Sequence, residues 1–137
     1  MNIKTFALIL GIIYIIVGIA GFIPPLLSTP PAPGVSITTL SGYLLGLFPV
    51  NILHTFGHLA IGVWGVSAYK DASAARNFAR GVAIIYAVLT VFGLLPHLKT
   101  VFGLIPLYGH DIWLHALTAI VAAYFGFMAA PAEKASV

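Results

Sequence analysis

The chain of 137 residues is 61% hydrophobic and 7% charged, with a mean hydropathy of +1.08, so it has too few polar side chains to cover a water-soluble surface and reads as an integral membrane protein. Its formal charge of +3 arises from six basic and three acidic residues, which topology and anionic lipid headgroups explain without any nucleic acid. The absence of cysteine excludes disulfides, thiolate metal sites and cysteine catalysis, leaving histidine and carboxylate as the strong metal ligands.

Crossing a hydrocarbon core about 30 Å thick takes about 20 apolar residues, and four such runs fill the chain as a single transmembrane domain over residues 1–137. The first, Ile3 to Phe22, starts beside Lys4 as a secretory signal does. It is long enough to span, however, and Gly21-Phe22-Ile23-Pro24 is a poor cleavage site, so it reads as a retained helix. Pro24, Pro25, Pro30, Pro31 and Pro33 then make a stiff, extended, uncharged loop ending at Gly34. The apolar stretch Tyr43 to Phe48 that follows is too short to span and is expected to lie along the interface or dip into it. The second helix is expected over Asn51 to Tyr69, a short turn over Lys70 to Arg76, and the third helix over Phe78 to Leu95. A second apolar loop, Leu98 to Tyr108, sets Val101, Phe102, Leu104 and Ile105 around Lys99 and precedes a final helix over Ile112 to Met128. Each loop is read as an interfacial connector, with a lid over the histidines as the alternative.

Lys4, Lys70, Arg76, Arg80 and Lys134 share one side of these spans and Lys99 is alone on the other, so the positive-inside rule makes both termini and the Lys70 to Arg76 turn cytoplasmic. Trp113 and Tyr108 read as outer interfacial anchors, Trp64 and Tyr69 as inner ones, and Arg76 and Arg80 as headgroup-binding cations. A weak repeat joins the two halves. Gly21-Phe22-Ile23-Pro24 recurs as Gly93-Leu94-Leu95-Pro96, and Gly46-Leu47-Phe48-Pro49 as Gly103-Leu104-Ile105-Pro106. Each half is then a helix, an outer loop and a helix, both starting on the cytoplasmic side. The expected fold is therefore an all-α four-transmembrane-helix bundle built from two parallel helix-loop-helix halves, with Asn51 matched to Asp111 and His54 to His115.

All five histidines fall at the outward end, where an ionisable group at membrane depth is a functional hypothesis by default. His54 and His58 are four residues apart, as are Asp111 and His115, so each pair shares a helix face. Below them, Gly62 and Gly65 on the second helix and Ala119, Ala122 and Gly126 on the fourth make small-residue stripes that face other helices, as Gly11, Gly18 and Gly21 do on the first. His54, His58, Asp111 and His115 are thus a candidate ligand set for zinc, copper or iron, with Asp111 as a ligand or as the group orienting a histidine. The plainer explanation makes Asn51 and Asp111 helix N-caps and the histidines interfacial hydrogen-bonding groups. His97 and His110 read as water-facing loop residues.

Leu44-Leu45-Gly46-Leu47-Phe48-Pro49-Val50-Asn51-Ile52-Leu53-His54, followed by His58-Leu59 and Gly62, resembles the central signature of the bacterial membrane family catalogued as domain of unknown function 4383. Gly18 to Pro24 resembles its first-helix ending, and Pro106-Leu107, Asp111 and Trp113-Leu114-His115 its final-helix start. Thr55 departs from the pattern, since the family often has asparagine after the first histidine. The resemblance covers nearly the whole chain and implies four transmembrane helices in a bacterial inner or internal membrane. It also makes His54, His58, Asp111 and His115 part of a family pattern, and it implies no activity. With no serine, cysteine or acidic pair placed as nucleophile or general acid/base, the expectation is a non-enzymatic protein. Its outward His/Asp site would hold a metal ion or the central metal of a haem- or chlorophyll-type tetrapyrrole. The alternatives are an accessory subunit of a larger respiratory or photosynthetic complex, or a homo-oligomer, packing by its Gly/Ala faces, and a metal-dependent hydrolase, disfavoured because the sequence offers no substrate pocket. Transport is disfavoured because polar residues vanish towards the inner half.

Overall fold

A computed structural model describes residues 1–129; Lys134 and the C-terminus, whose side of the membrane the charge rule assigns, lie outside the described residues. The elements that position the candidate site are α1 (Ile3–Ala20), α2 (Ile52–Ala68), α3 (Ala72–Leu94) and α4 (His110–Ala123), the last continued by a π-helical turn over Tyr124–Met128. α1, α3 and α4 with its π turn are long and apolar enough to cross a membrane, whereas α2 is apolar but has 17 residues. At a rise of 1.5 Å per residue α2 is about 25 Å long, a little less than a hydrocarbon core. Ile9, Ile16, Val63, Ile84 and Ile120 stand exposed on the outer faces, the distribution expected of helices solvated by lipid.

The helix boundaries follow from local chemistry. Asn2 and Asn51 cap α1 and α2, accepting from the Thr5 and His54 amides at 2.9 and 3.1 Å. α3 starts six residues before the apolar run suggests, because Asp71 caps it through the Ala74 amide at 2.8 Å and Ala72-Ser73-Ala74-Ala75 is a good helix former despite its polar setting. The expected turn to Arg76 therefore shrinks, and Arg76 sits inside α3. α4 likewise begins early, at His110, behind a Gly109 cap with φ of +68°.

Packing is up-down-up-down. Gly11 lies against Gly62 and Val66, Gly18 against Leu59 and Gly21 against Thr55, so α1 and α2 run antiparallel along the small-residue stripes. A Cβ built at Gly62 would sit 2.7 Å from the Ile15 nitrogen and 2.9 Å from the Gly11 oxygen, which is why this contact requires glycine. α3 and α4 pair in the same sense, with Gly93 against Leu107 and Ile112 near one end and Gly126 against Arg80 near the other. Between the pairs the inner half is apolar, built on Phe78, Val82, Ala119 and Ala122, with Phe6 stacked on Phe125 at 4.5 Å. Arg76 and Arg80, expected to bind headgroups, donate to the Ala129 and Gly126 carbonyls at 3.0 and 2.8 Å, satisfying acceptors that the end of α4 leaves free. Trp64, read as an anchor, also packs edge-on against Phe78 at 5.1 Å.

The end of the bundle that carries the histidines departs from an all-α fold. The first loop forms a three-stranded antiparallel sheet, β1 (Leu27–Ser28), β2 (Gly42–Leu44) and β3 (Phe48–Val50), with Tyr43 opposite Pro49 and Leu44 opposite Phe48. The stretch expected to lie on the interface is thus a hairpin over the bundle, turned by Leu45 and Gly46 at φ of +53° and +75°. Phe102 and Gly103 repeat that backbone in the second loop at +58° and +88°. The two loops are tied together by Ser36 N donating to Gly103 O at 2.7 Å and Tyr108 Oη to Pro33 O at 2.7 Å.

Candidate metal centre

Asn51 fixes the site from above. Fully buried, it caps α2 with its Oδ1 and donates from Nδ2 to Ile37 O at 3.0 Å and Leu104 O at 2.7 Å, joining both outer loops to the helix that carries His54. One turn on, the His54 ring is held by Nδ1 at 3.2 Å from Pro49 O. A carbonyl can only accept, so in that bond Nδ1 carries the proton. The same nitrogen lies 3.8 Å from Asp111 Oδ2.

Asp111 is not the cap that the plainer explanation makes it. With the cap at Gly109, Asp111 falls inside the first turn of α4, 3% exposed, and its Oδ2 has no hydrogen-bond partner among the described residues. His115, one turn further, is 2% exposed and its Nδ1 is likewise without a partner among them. One ligand atom each from His54, Asp111 and His115 lies within 4.8 Å of the others, so three elements of the sequence pattern converge on one point. Buried polar atoms are almost always paired, and Thr55 Oγ1 is a third buried atom without a partner among the described residues. Two imidazoles and a carboxylate, already gathered, fit a borderline divalent ion.

His58 stands beside this group. Its ring packs on His54 at 4.5 Å and on Tyr14 at 5.6 Å, while the convergent atoms come from the other three residues. His97 lies exposed in the second loop. His110, expected in a loop, is the first residue of α4 and accepts from Trp113 Nε1 at 2.9 Å on the exposed surface. Neither joins the cluster.

The sequence reading missed the aromatic floor. Tyr86 meets His115 edge-on at 5.1 Å and Tyr14 at 5.5 Å, and the Tyr14 hydroxyl lies 3.4 Å from that of Thr118. The signal was present, since Tyr14 falls on the α1 stripe of Gly11, Gly18 and Gly21 at helical spacing. A cavity of about 340 Å³ lies beside the site, with His58, Asp111, His115, Tyr14 and Thr118 among its lining residues, where the sequence alone offers no substrate pocket.

Residues 4–128 match the family described as Domain of unknown function (DUF4383), and the chain belongs to that family. No curated protein matches the chain significantly, and neither does any solved structure.

Proposed function

We propose that this member of the family is a bacterial inner-membrane protein crossing the bilayer four times, with α2 as the short fourth span, and that its outward end binds a transition-metal ion without catalysing a reaction. The observation that carries this reading is the convergence of His54, Asp111 and His115, with Asp111 Oδ2 and His115 Nδ1 buried and lacking a hydrogen-bond partner among the described residues. A bare ion is favoured over a tetrapyrrole by the same geometry. A macrocycle fills the equatorial positions of its metal and leaves two axial sites on opposite faces, whereas here three side chains approach one point. His54 and His115 would supply imidazole ligands and Asp111 the charge that offsets the ion. Zinc, copper and iron all suit such donors. His58, stacked on His54, would steady that ring or complete the set. The apolar outer faces of the helices and the crowding of Lys4, Lys70, Arg76 and Arg80 at the opposite end support the embedding and its orientation.

The test is elemental analysis and a visible absorption spectrum of protein extracted gently from membranes. About one equivalent of a single metal is expected, with most of it lost in His54→Ala and His115→Ala. His58→Ala should weaken binding about 10-fold to 100-fold if it acts through His54. A Soret-type band would move the reading to a tetrapyrrole. Protein free of metal and pigment that fails to take up zinc, copper or iron would sink the metal reading and leave the accessory-subunit alternative.

A further inference from the structure

The cavity beside the cluster lies between α1 and α4, and its construction is that of a ligand site. Its walls are Ile13 and Val17 from α1 and Leu117 and Val121 from α4, and Leu44 and Phe48 of the β2–β3 hairpin close it towards the outer end. Ile13 and Leu117 are about half exposed, at 48% and 52%, so the mouth opens sideways between the helices. In a bilayer that direction is hydrocarbon, and entry is from the lipid phase. At about 340 Å³ the cavity falls at the small end of ligand pockets, enough for a ring and the start of a chain.

We infer that this cleft binds a neutral lipid-phase molecule with a hydrogen-bonding ring head and a single apolar tail, the chemistry of a lipid quinone or quinol. Three observations select that class. Tyr14, His58, Asp111, His115 and Thr118 place polar groups among the otherwise apolar lining residues, so the head must be polar. Among the described residues no lysine or arginine lines it while Asp111 does, so a carboxylate or phosphate head would find no basic side chain to pair with. Finally, the polar groups stand at two levels. His115 and Thr118 are three residues apart on one face of α4, about 5–6 Å between Cβ atoms, and Tyr14 adds its hydroxyl at the Thr118 level. A ring with oxygens on opposite edges engages both levels, whereas an alcohol or glyceride head engages one. The inference rests on the membrane embedding proposed above and not on a metal, because Tyr14 and Thr118, which form the second polar level, take no part in the candidate metal group.

The experiment is titration of a decyl-substituted benzoquinone into full-length protein in nanodiscs of neutral phosphatidylcholine, read by quenching of tryptophan fluorescence. Trp113 serves as reporter because its ring lies 6.1 Å from that of Phe48 in the cavity roof. Saturable quenching is expected, at least 10-fold weaker in Val17→Phe, which fills the cleft, and several-fold weaker in Tyr14→Phe, which removes only a hydroxyl. Decanoic acid should not compete, and His97→Ala, at an exposed loop position away from the cavity, should bind the quinone as wild type does. Quenching that does not saturate, equal affinity in Tyr14→Phe, or competition by decanoic acid at matched concentration overturns the inference. Metal analysis of the same samples separates the two readings, since bound metal without saturable quenching defeats only this one and the converse defeats only the metal. Should Val17→Phe not fold by circular dichroism, Tyr14→Phe and the acid competition decide alone.

Discussion

Asn51 is the residue on which the outer end depends most, and replacing it separates its two roles. Asn51→Ala removes the α2 cap, worth about 1 kcal/mol in other helices. It also strips the Ile37 and Leu104 carbonyls of their donor in a fully buried place, at about 1–3 kcal/mol for each acceptor left unpaired. Part of that is recovered if water enters the vacated space, so the expected loss is about 3–5 kcal/mol. Asn51→Asp retains the capping oxygen, and a negative charge suits the helix start, yet it turns an acceptor towards two carbonyls. It should be no more stable than the alanine variant. Equilibrium denaturation in mixed detergent micelles measures the loss, and limited proteolysis of the 96–108 loop reports release of the tether. A loss near 1 kcal/mol for alanine, with aspartate at wild-type stability, would show that only the cap matters and refute the tethering role.

The site was more legible in the sequence than the structure that holds it. The four-residue spacing of His54 with His58 and of Asp111 with His115 fixes faces whatever the exact helix ends, and the packing of the bundle then gathers His54, Asp111 and His115. Small-residue stripes are equally direct, because only glycine permits the approach of Gly11 to Gly62. What the pattern hid were features that hydropathy does not measure. Tyr43 to Phe48 is apolar, so it was weighed against membrane thickness, although Leu45-Gly46 between short β-favouring segments is a hairpin signal. The start of α3 is polar and therefore fell outside the apolar window, although Asp71 is a good cap. Asp111 was ambiguous for a physical reason: an aspartate near a helix start is favoured both as a cap and one turn inside. The sequence does not say that Gly109, with its positive φ, takes the capping position and turns Asp111 inward. Asn51 read as a cap and is one, but its tethers run to Ile37 and Leu104, which no local pattern connects.

Further expectations follow from packing, orientation and charge. Cysteine placed at Ser36 should react with an impermeant thiol reagent in intact cells and cysteine at Ser73 should not; the reverse labelling would invert the membrane orientation. His97→Ala and His110→Ala, both at exposed positions, should leave metal content at the wild-type level, and loss in either would enlarge the site. Asp111→Asn keeps the shape but removes the charge that offsets a cation, so metal affinity should fall by at least about 10-fold in equilibrium dialysis, and an unchanged affinity would remove Asp111 from the ligand set. The last concerns the α1–α2 seam, to which Gly62 belongs and Gly57, five residues before it on the same helix, does not. A Cβ at Gly57 meets nothing within 4 Å, so Gly57→Ala should be neutral or stabilise by up to about 1 kcal/mol through the unfolded chain. At Gly62 the same methyl meets the backbone of α1 at 2.7 and 2.9 Å, atoms that cannot rotate away, so the two helices must part. Parting them costs about 1–3 kcal/mol, and it also draws Thr55 and His54 away from their neighbours, because the seam continues upward through Gly18 and Gly21. Gly62→Ala should therefore lose metal affinity as well as stability although it lies two turns below His54, whereas Gly57→Ala should lose neither; equal stability of the two variants would mean that the close approach of α1 to α2 does not support the site.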